Sequence, residues 1–184
     1  QLGYESLFAT SLYQPFDVAQ RFFVEPGVFA SRSAEDLYSD GDHVATYRFV
    51  DYGGLVELGW NPSRSMQLRL GYIATERRAD VQTGIEQMPE ADFLDAGFTA
   101  SLKYDSRDAN TFATSGLAAA IEYVRADQSL GSDRDWERIE AGFRSFIPVG
   151  RNLVWISLAG GKELGDELPG DRAFSLGGPK TMPA

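Results

Sequence analysis

Residues 94–105, LDAGFTASLKYD, decide the fold. Leu94, Ala96, Phe98, Ala100, Leu102 and Tyr104 are apolar or aromatic, while Asp95, Gly97, Thr99, Ser101, Lys103 and Asp105 are polar or glycine. Successive side chains of a strand point to opposite faces, so this period of two marks a strand with one apolar side. Residues 66–75 repeat the pattern, with Met66, Leu68, Leu70, Tyr72 and Ala74 set against Gln67, Arg69, Gly71, Ile73 and Thr75. Residues 138–147 set Ile139, Ala141, Phe143 and Ile147 against Arg138, Glu140, Gly142 and Arg144. Residues 54–60 set Val56, Leu58 and Trp60 against Glu57 and Gly59.

Weaker runs at 2–13, 18–30, 44–50 (leading into 54–60), 117–125 and 153–162 bring the expected number of strands to about eight. Pro26 inside the second run predicts a bulge or bend, because proline cannot donate to a ladder. Residues 14–17 and 61–64 read as tight proline turns, and 148–152 as one nearly as short. Longer polar links are expected at 31–43, 75–92 and 126–135, with 106–116 intermediate. Short connections at one end and long ones at the other are the habit of transmembrane β-barrels.

Composition narrows the function. The 184 residues carry 17 basic and 27 acidic side chains, a net charge of −10, which disfavours nucleic acid as a partner. There is no cysteine and a single histidine, His43, so disulfide frameworks, thiolate–zinc sites and thiol catalysis are excluded. No apolar run approaches the roughly 20 residues of a membrane helix. The 19 glycines and 23 aromatic residues suit an outer-membrane barrel, though soluble β proteins share them. The polar faces hold Glu57, Arg69, Lys103, Glu122, Arg138, Glu140 and Arg144, opposite charges that a water-filled lumen tolerates. Those charges could dock a loop or guide a passing polypeptide, or simply keep the interior wet. Tyr13, Trp60 and Tyr104 fall near strand ends, as an interfacial aromatic girdle would. A soluble β-sandwich or lipocalin-like barrel remains the alternative.

Two stretches carry a family resemblance. Residues 102–116, LKYDSRDANTFATSG, resemble the strand and turn Y-D-x-R-D-N-x-x-x-P-x-x-G of the outer-membrane assembly and secretion superfamily, the BamA, TamA and two-partner-secretion transporter type. Tyr104, Asp105, Arg107, Asp108 and Gly116 match, while Ala109 and Ala113 stand in place of Asn and Pro. Residues 174–184, FSLGGPKTMPA, resemble the start of that superfamily's external loop, which folds back into the lumen; Phe174, Leu176, Gly177, Gly178 and Pro179 carry the likeness. The variant L-G-G-P-x-x-x-P is similar to barrels fused to patatin-like phospholipases, the type V subtype-d autotransporters of the PlpD kind.

The resemblance implies an all-β fold, the central part of a sixteen-stranded antiparallel transmembrane β-barrel in the bacterial outer membrane. Residues 1–184 would form one barrel segment cut at both ends. Its function would be to anchor, secrete or display an attached patatin-like lipase, with assembly or secretion of other proteins as the alternative. The partners implied are outer-membrane lipid, the protein's own N-terminal passenger and periplasmic linker domain, and the outer-membrane assembly machinery. Open sheet edges would also invite a second copy into a homodimer.

No enzyme is expected in this chain. A Gly-x-Ser-x-Gly elbow is absent, Ser115 merely adjoins Gly116, Ser175 lies two residues before Gly177, and Asp40-Gly41 lacks the serine of a patatin dyad. Asp36, Asp40, Asp42 and His43 lack the spacing of a calcium loop. No catalytic residue, metal or cofactor is therefore expected.

Overall fold

The computed structural model describes residues 6–39, 42–83, 91–109 and 111–164. They form a single antiparallel sheet of nine segments: β1 (Ser6–Ser11), β2 (Gln14–Pro15), β3 (Phe22–Ser39), β4 (Asp42–Ser63), β5 (Met66–Thr83), β6 (Ala91–Asp105), β7 (Gly116–Ala126), β8 (Trp136–Val149) and β9 (Asn152–Glu163). Each strand from β3 to β8 pairs with the next, and β1 and β2 both pair with β3. They are thus two pieces of one strand, so the sheet is eight strands wide.

The interruption of that strand replaces the bulge expected at Pro26. The register of β3 against β4 runs unbroken through Pro26↔Val56. On the other side the Leu12 N–H donates to the Pro26 carbonyl at 2.9 Å, and proline has no N–H to return. The ladder gaps at that point, between Ser11↔Gly27 and Gln14↔Val24.

Most of the links expected at 31–43 and 75–92 is corrected to strand, at 31–39, 42–43, 75–83 and 91–92. β3 continues to Ser39, β4 starts at Asp42, β5 continues to Thr83 and β6 starts at Ala91. Apolar alternation stops well before this, but backbone pairing needs no apolar face once its neighbours are already in register. The runs at 44–50 and 54–60 are accordingly one strand, β4. At the opposite end the turns shrink: Asn61–Ser63 still belong to β4, and Pro148 pairs with Leu153, leaving residues 64–65 and 150–151 as the turns. Residues 14–15 pair with β3 instead of turning, and the turn shifts to 16–21.

Register puts each apolar series on one face. The rows Val56↔Tyr72↔Phe98 and Leu58↔Leu70↔Ala100 lie on it, and Glu57↔Gly71↔Thr99 lies on the other. Burial then reverses what a protein in water shows. Among the described residues, every large hydrophobic one exposed in β3–β8 stands on the apolar face, among them Leu70 at 60%, Leu58 at 57% and Val56 at 50%. The polar face is the sheltered one, with Phe23 at 0%, Asp95 at 4% and Thr75 at 7%. Among the described residues Ala96 alone is buried on the apolar face, beneath the connection 127–135. β9 is exposed along its whole length.

The register also drifts. Ser63↔Met66 closes the β4–β5 turn and Val149↔Asn152 closes the β8–β9 turn. Straight across the sheet, Met66 aligns with Tyr104, Ala119, Phe143 and Leu158 in turn. Leu158 lies six residues along β9 from Asn152, a drift built up over four strand-to-strand steps. With strands about 4.8 Å apart and a rise of about 3.3 Å per residue, turns at one level require strands tilted by roughly 45°.

Candidate functional site: the polar inner face

Arg69 is the centre of the best-ordered group on this face. Its Nη1 donates to Glu57 Oε2 at 2.6 Å and Glu25 Oε2 at 2.8 Å, while its Nε donates to Gln67 Oε1 at 2.7 Å. Ser11 Oγ donates to the other oxygen of Glu25 at 2.7 Å. β1, β3, β4 and β5 each contribute one or more of these groups, so the cluster exists only when four strands are in register. The guanidinium also lies 5.1 Å above the ring of Phe23. That ring crosses the backbone of Gly59, where an added Cβ would stand 1.9 Å from it. A glycine is thus needed for Phe23 to lie under Arg69.

The other charges expected on this face separate from that group. Lys103 is exposed at the turn end, within electrostatic reach of Glu25. Glu122 and Glu140 stand opposite each other on β7 and β8, and Arg138 pairs with Glu140 at 3.5 Å. Arg138 lies 5.7 Å from the ring of Trp136, and its Nε is buried without a hydrogen bond. Arg144 lies 5.8 Å over Trp155.

The strand–turn motif assembles at the end of β6. Arg107 grips Asp105 with two donors, Nη2 to Oδ2 at 2.7 Å and Nε to Oδ1 at 3.0 Å. Asp108 folds the turn back: its Oδ1 accepts the N–H of Thr114 at 2.9 Å and of Ser115 at 3.2 Å. Gly116 closes it at φ +105°, where a Cβ would approach the Ser106 carbonyl oxygen to 2.4 Å. Tyr104 is separate from these, exposed on the apolar face. Gly116→Ala is expected to destabilise by about 1–3 kcal/mol through that strain, measured as an earlier unfolding midpoint in urea.

The hydroxyl of Thr114, with the two N–H groups, holds the Asp108 carboxyl down at about 2. A lowered acid contributes its stabilisation above the ordinary value of 3.8 and loses it as pH falls through about 2. The Thr114 and Ser115 amides should therefore stay protected from exchange at pH 4 and lose protection near pH 2 in wild type. In Asp108→Asn the protection should not depend on pH across that window.

Several groups lay beyond sequence reasoning. Glu25 was hidden by its neighbour Pro26, although it shares the parity of Phe23. Asp51 accepts from Arg77 Nε at 2.7 Å and Nη2 at 2.8 Å. Asp95, visible as a polar-face residue, takes Arg134 Nε at 2.9 Å, Arg134 Nη2 at 3.0 Å and Trp136 Nε1 at 3.0 Å. No local signal links it to partners some forty positions away. The loop motif Phe174, Leu176, Gly177, Gly178 and Pro179 lies outside the described residues. Among the described residues no group of acidic or histidine side chains is placed to hold a metal ion.

A polar face that is sheltered and an apolar face that is exposed reverse the arrangement of a sheet folded for water. The Omp85 superfamily domain matches residues 1–182. The chain belongs to the Omp85 superfamily. It is a bacterial outer-membrane barrel protein, as the resemblance implied. No curated protein matches it. Among solved structures it is similar to BamA from Haemophilus ducreyi lacking POTRA domains 1–3, with a TM-score of 0.74 and 16% identity. That match covers 95% of this chain and 36% of the other, so the Omp85 segment spans about a third of the BamA structure it resembles.

Proposed function

We propose that this Omp85 segment is the central part of a sixteen-stranded transmembrane barrel that carries out protein secretion or assembly. The observation that carries the reading is the reversed burial: large apolar side chains outside, charges and glycine within. The tilt of roughly 45° supports it, since membrane barrels tilt their strands by about 35–45°. So does the apolar stretch of β4, because Tyr52 to Trp60 is close to the roughly 9–11 residues a tilted strand needs to cross a bilayer.

In the more specific form, the barrel is the translocator of a patatin-like autotransporter, and its partners are lipid, an N-terminal lipase with its periplasmic linker, and the assembly machinery. Support comes from the L-G-G-P variant after Phe174. The segment itself performs no catalysis and takes no cofactor; its apolar face dissolves in lipid while its inner charges stay hydrated. The fold likeness to BamA favours a second reading, a barrel that handles other proteins. The sequence of the full reading frame tests the choice. An upstream lipase with a Gly-x-Ser-x-Gly elbow is expected, and its surface display should fail when the barrel is deleted. A series of periplasmic repeat domains in its place would select the second reading.

A further inference from the structure

At the short-turn end of the sheet a cavity of about 660 Å³ opens between the 16–21 turn, the β4–β5 turn and the end of β6. Three cations line it, Arg21, Arg64 and Lys103, against one carboxylate, Asp105. Asp105 is already held by Arg107 at 2.7 Å, and Arg21 shares Asp17 at 3.3 Å with two-thirds of its side chain in solvent. Arg64 and Lys103 enter no ion pair among the described residues. A positive cavity on a chain of net charge −10 is a local reversal of sign.

Its wall is held by a continuous hydrogen-bond chain. Gln20 sits at φ +53°, an uncommon conformation for a residue other than glycine. Its carbonyl accepts Asn61 Nδ2 at 2.8 Å, and Asn61 Oδ1 accepts Gln67 Nε2 at 3.0 Å. Gln67 in turn accepts from Arg69 Nε, which joins the turn to the charged cluster inside. Asp17 braces the same turn by accepting the N–H groups of Arg21 at 2.8 Å and Phe22 at 3.1 Å. Strain maintained by surrounding hydrogen bonds is a feature of ligand clamps.

We propose that this cavity docks an acidic peptide segment presented to the barrel mouth from the periplasmic side. The proposal rests on the membrane-barrel reading, which puts the short turns in the periplasm. Asn61, Gln67 and Lys103 belong to the inner face, away from lipid, so a polypeptide reaches them and a lipid headgroup does not. The guanidinium of Arg64 offers the planar fork that matches a carboxylate, and Lys103 adds a mobile point charge. Partly exposed cations of this kind attract acidic chains in a salt-dependent way.

The test uses the full-length protein in detergent micelles and two labelled peptides, one of alternating Glu and Ser and the other with Gln in place of Glu. At low salt the Glu peptide should bind wild type about tenfold more tightly, and Arg64→Gln with Lys103→Gln should remove most of that preference. Equal binding of the two peptides to wild type would overturn the proposal without depending on any variant. Displacement of the Glu peptide by inorganic phosphate at equal charge concentration would also overturn it, reducing the cavity to a plain anion hole. Insertion of wild type into liposomes is measured alongside, so failure of the barrel reading registers separately.

Discussion

Replacement of Phe98 by arginine is expected to stop the protein from assembling in the membrane. Phe98 lies in the middle of the apolar face of β6, edge-on to Tyr72 with ring centroids 6.3 Å apart. It is exposed on that face, so it fills no protein core, and a polar substitute in a water-soluble protein would be harmless there. In lipid the same change places a charge in hydrocarbon, at a cost of about 2–4 kcal/mol near the midplane. Leu102→Arg should behave alike. Lys103→Gln, one residue on but facing inward, should insert normally. The measurement is the fraction recovered in outer membranes as a heat-modifiable, protease-resistant species. Equal recovery of all three variants would refute the assignment of faces.

The second large effect is expected at Asp95. β7 ends its pairing with β6 at Gly97↔Ala126, so the part of β6 before Gly97 is left to the connection that follows β7. That connection stands in for a strand: the Asp127 N–H donates to the Ala96 carbonyl at 3.0 Å and the Asp133 N–H to the Leu94 carbonyl at 2.7 Å. Leu94 returns its own N–H to Asp133 Oδ2 at 2.7 Å. Within the connection, Gln128–Leu130 forms a short 3-10 turn capped by Asp127, whose carboxyl is kept below the usual range chiefly by the Ser129 hydroxyl.

Asp95 is the anchor of the whole arrangement, because its nearly buried carboxylate satisfies Arg134 and the indole of Trp136 together. Asp95→Ala removes the carboxylate that the Arg134 guanidinium and the Trp136 indole N–H share, and breaking such a buried pair costs about 3–5 kcal/mol. The barrel should still insert, since Asp95 stands on the polar face and the substitution leaves the apolar face unchanged. Proteolytic cutting within 127–135 and amide exchange at Leu94 should both accelerate strongly. Asp95→Ala with Arg134→Met, which removes both charges, should recover much of the loss. Unchanged exchange at Leu94 in the single variant would show that the anchor is not Asp95.

The sequence by itself determined which stretches are strands, which residues share a face and which face is apolar, because the two-residue period is a local property of backbone geometry. The motif at Asp105, Arg107, Asp108 and Gly116 was marked by resemblance alone; its hydrogen bonds join residues within a dozen positions and Gly116 answers to a single backbone angle. Where the strands end was not legible. Beyond Tyr52 and Thr75 the apolar signal fades, yet pairing runs on to Asp42 and Thr83, held by register established lower in the same strands. Nor was it legible which charges meet. Arg69, Lys103 and Arg138 read alike along the chain, but one is clasped by two carboxylates, one stands open at a cavity and one lies beside a tryptophan. Those outcomes are set by which residue of the neighbouring strand falls opposite, by the gap that Pro26 leaves in the ladder and by the space that Gly59 yields to Phe23. Each depends on contacts between positions far apart in the chain, which only the assembled sheet brings within reach.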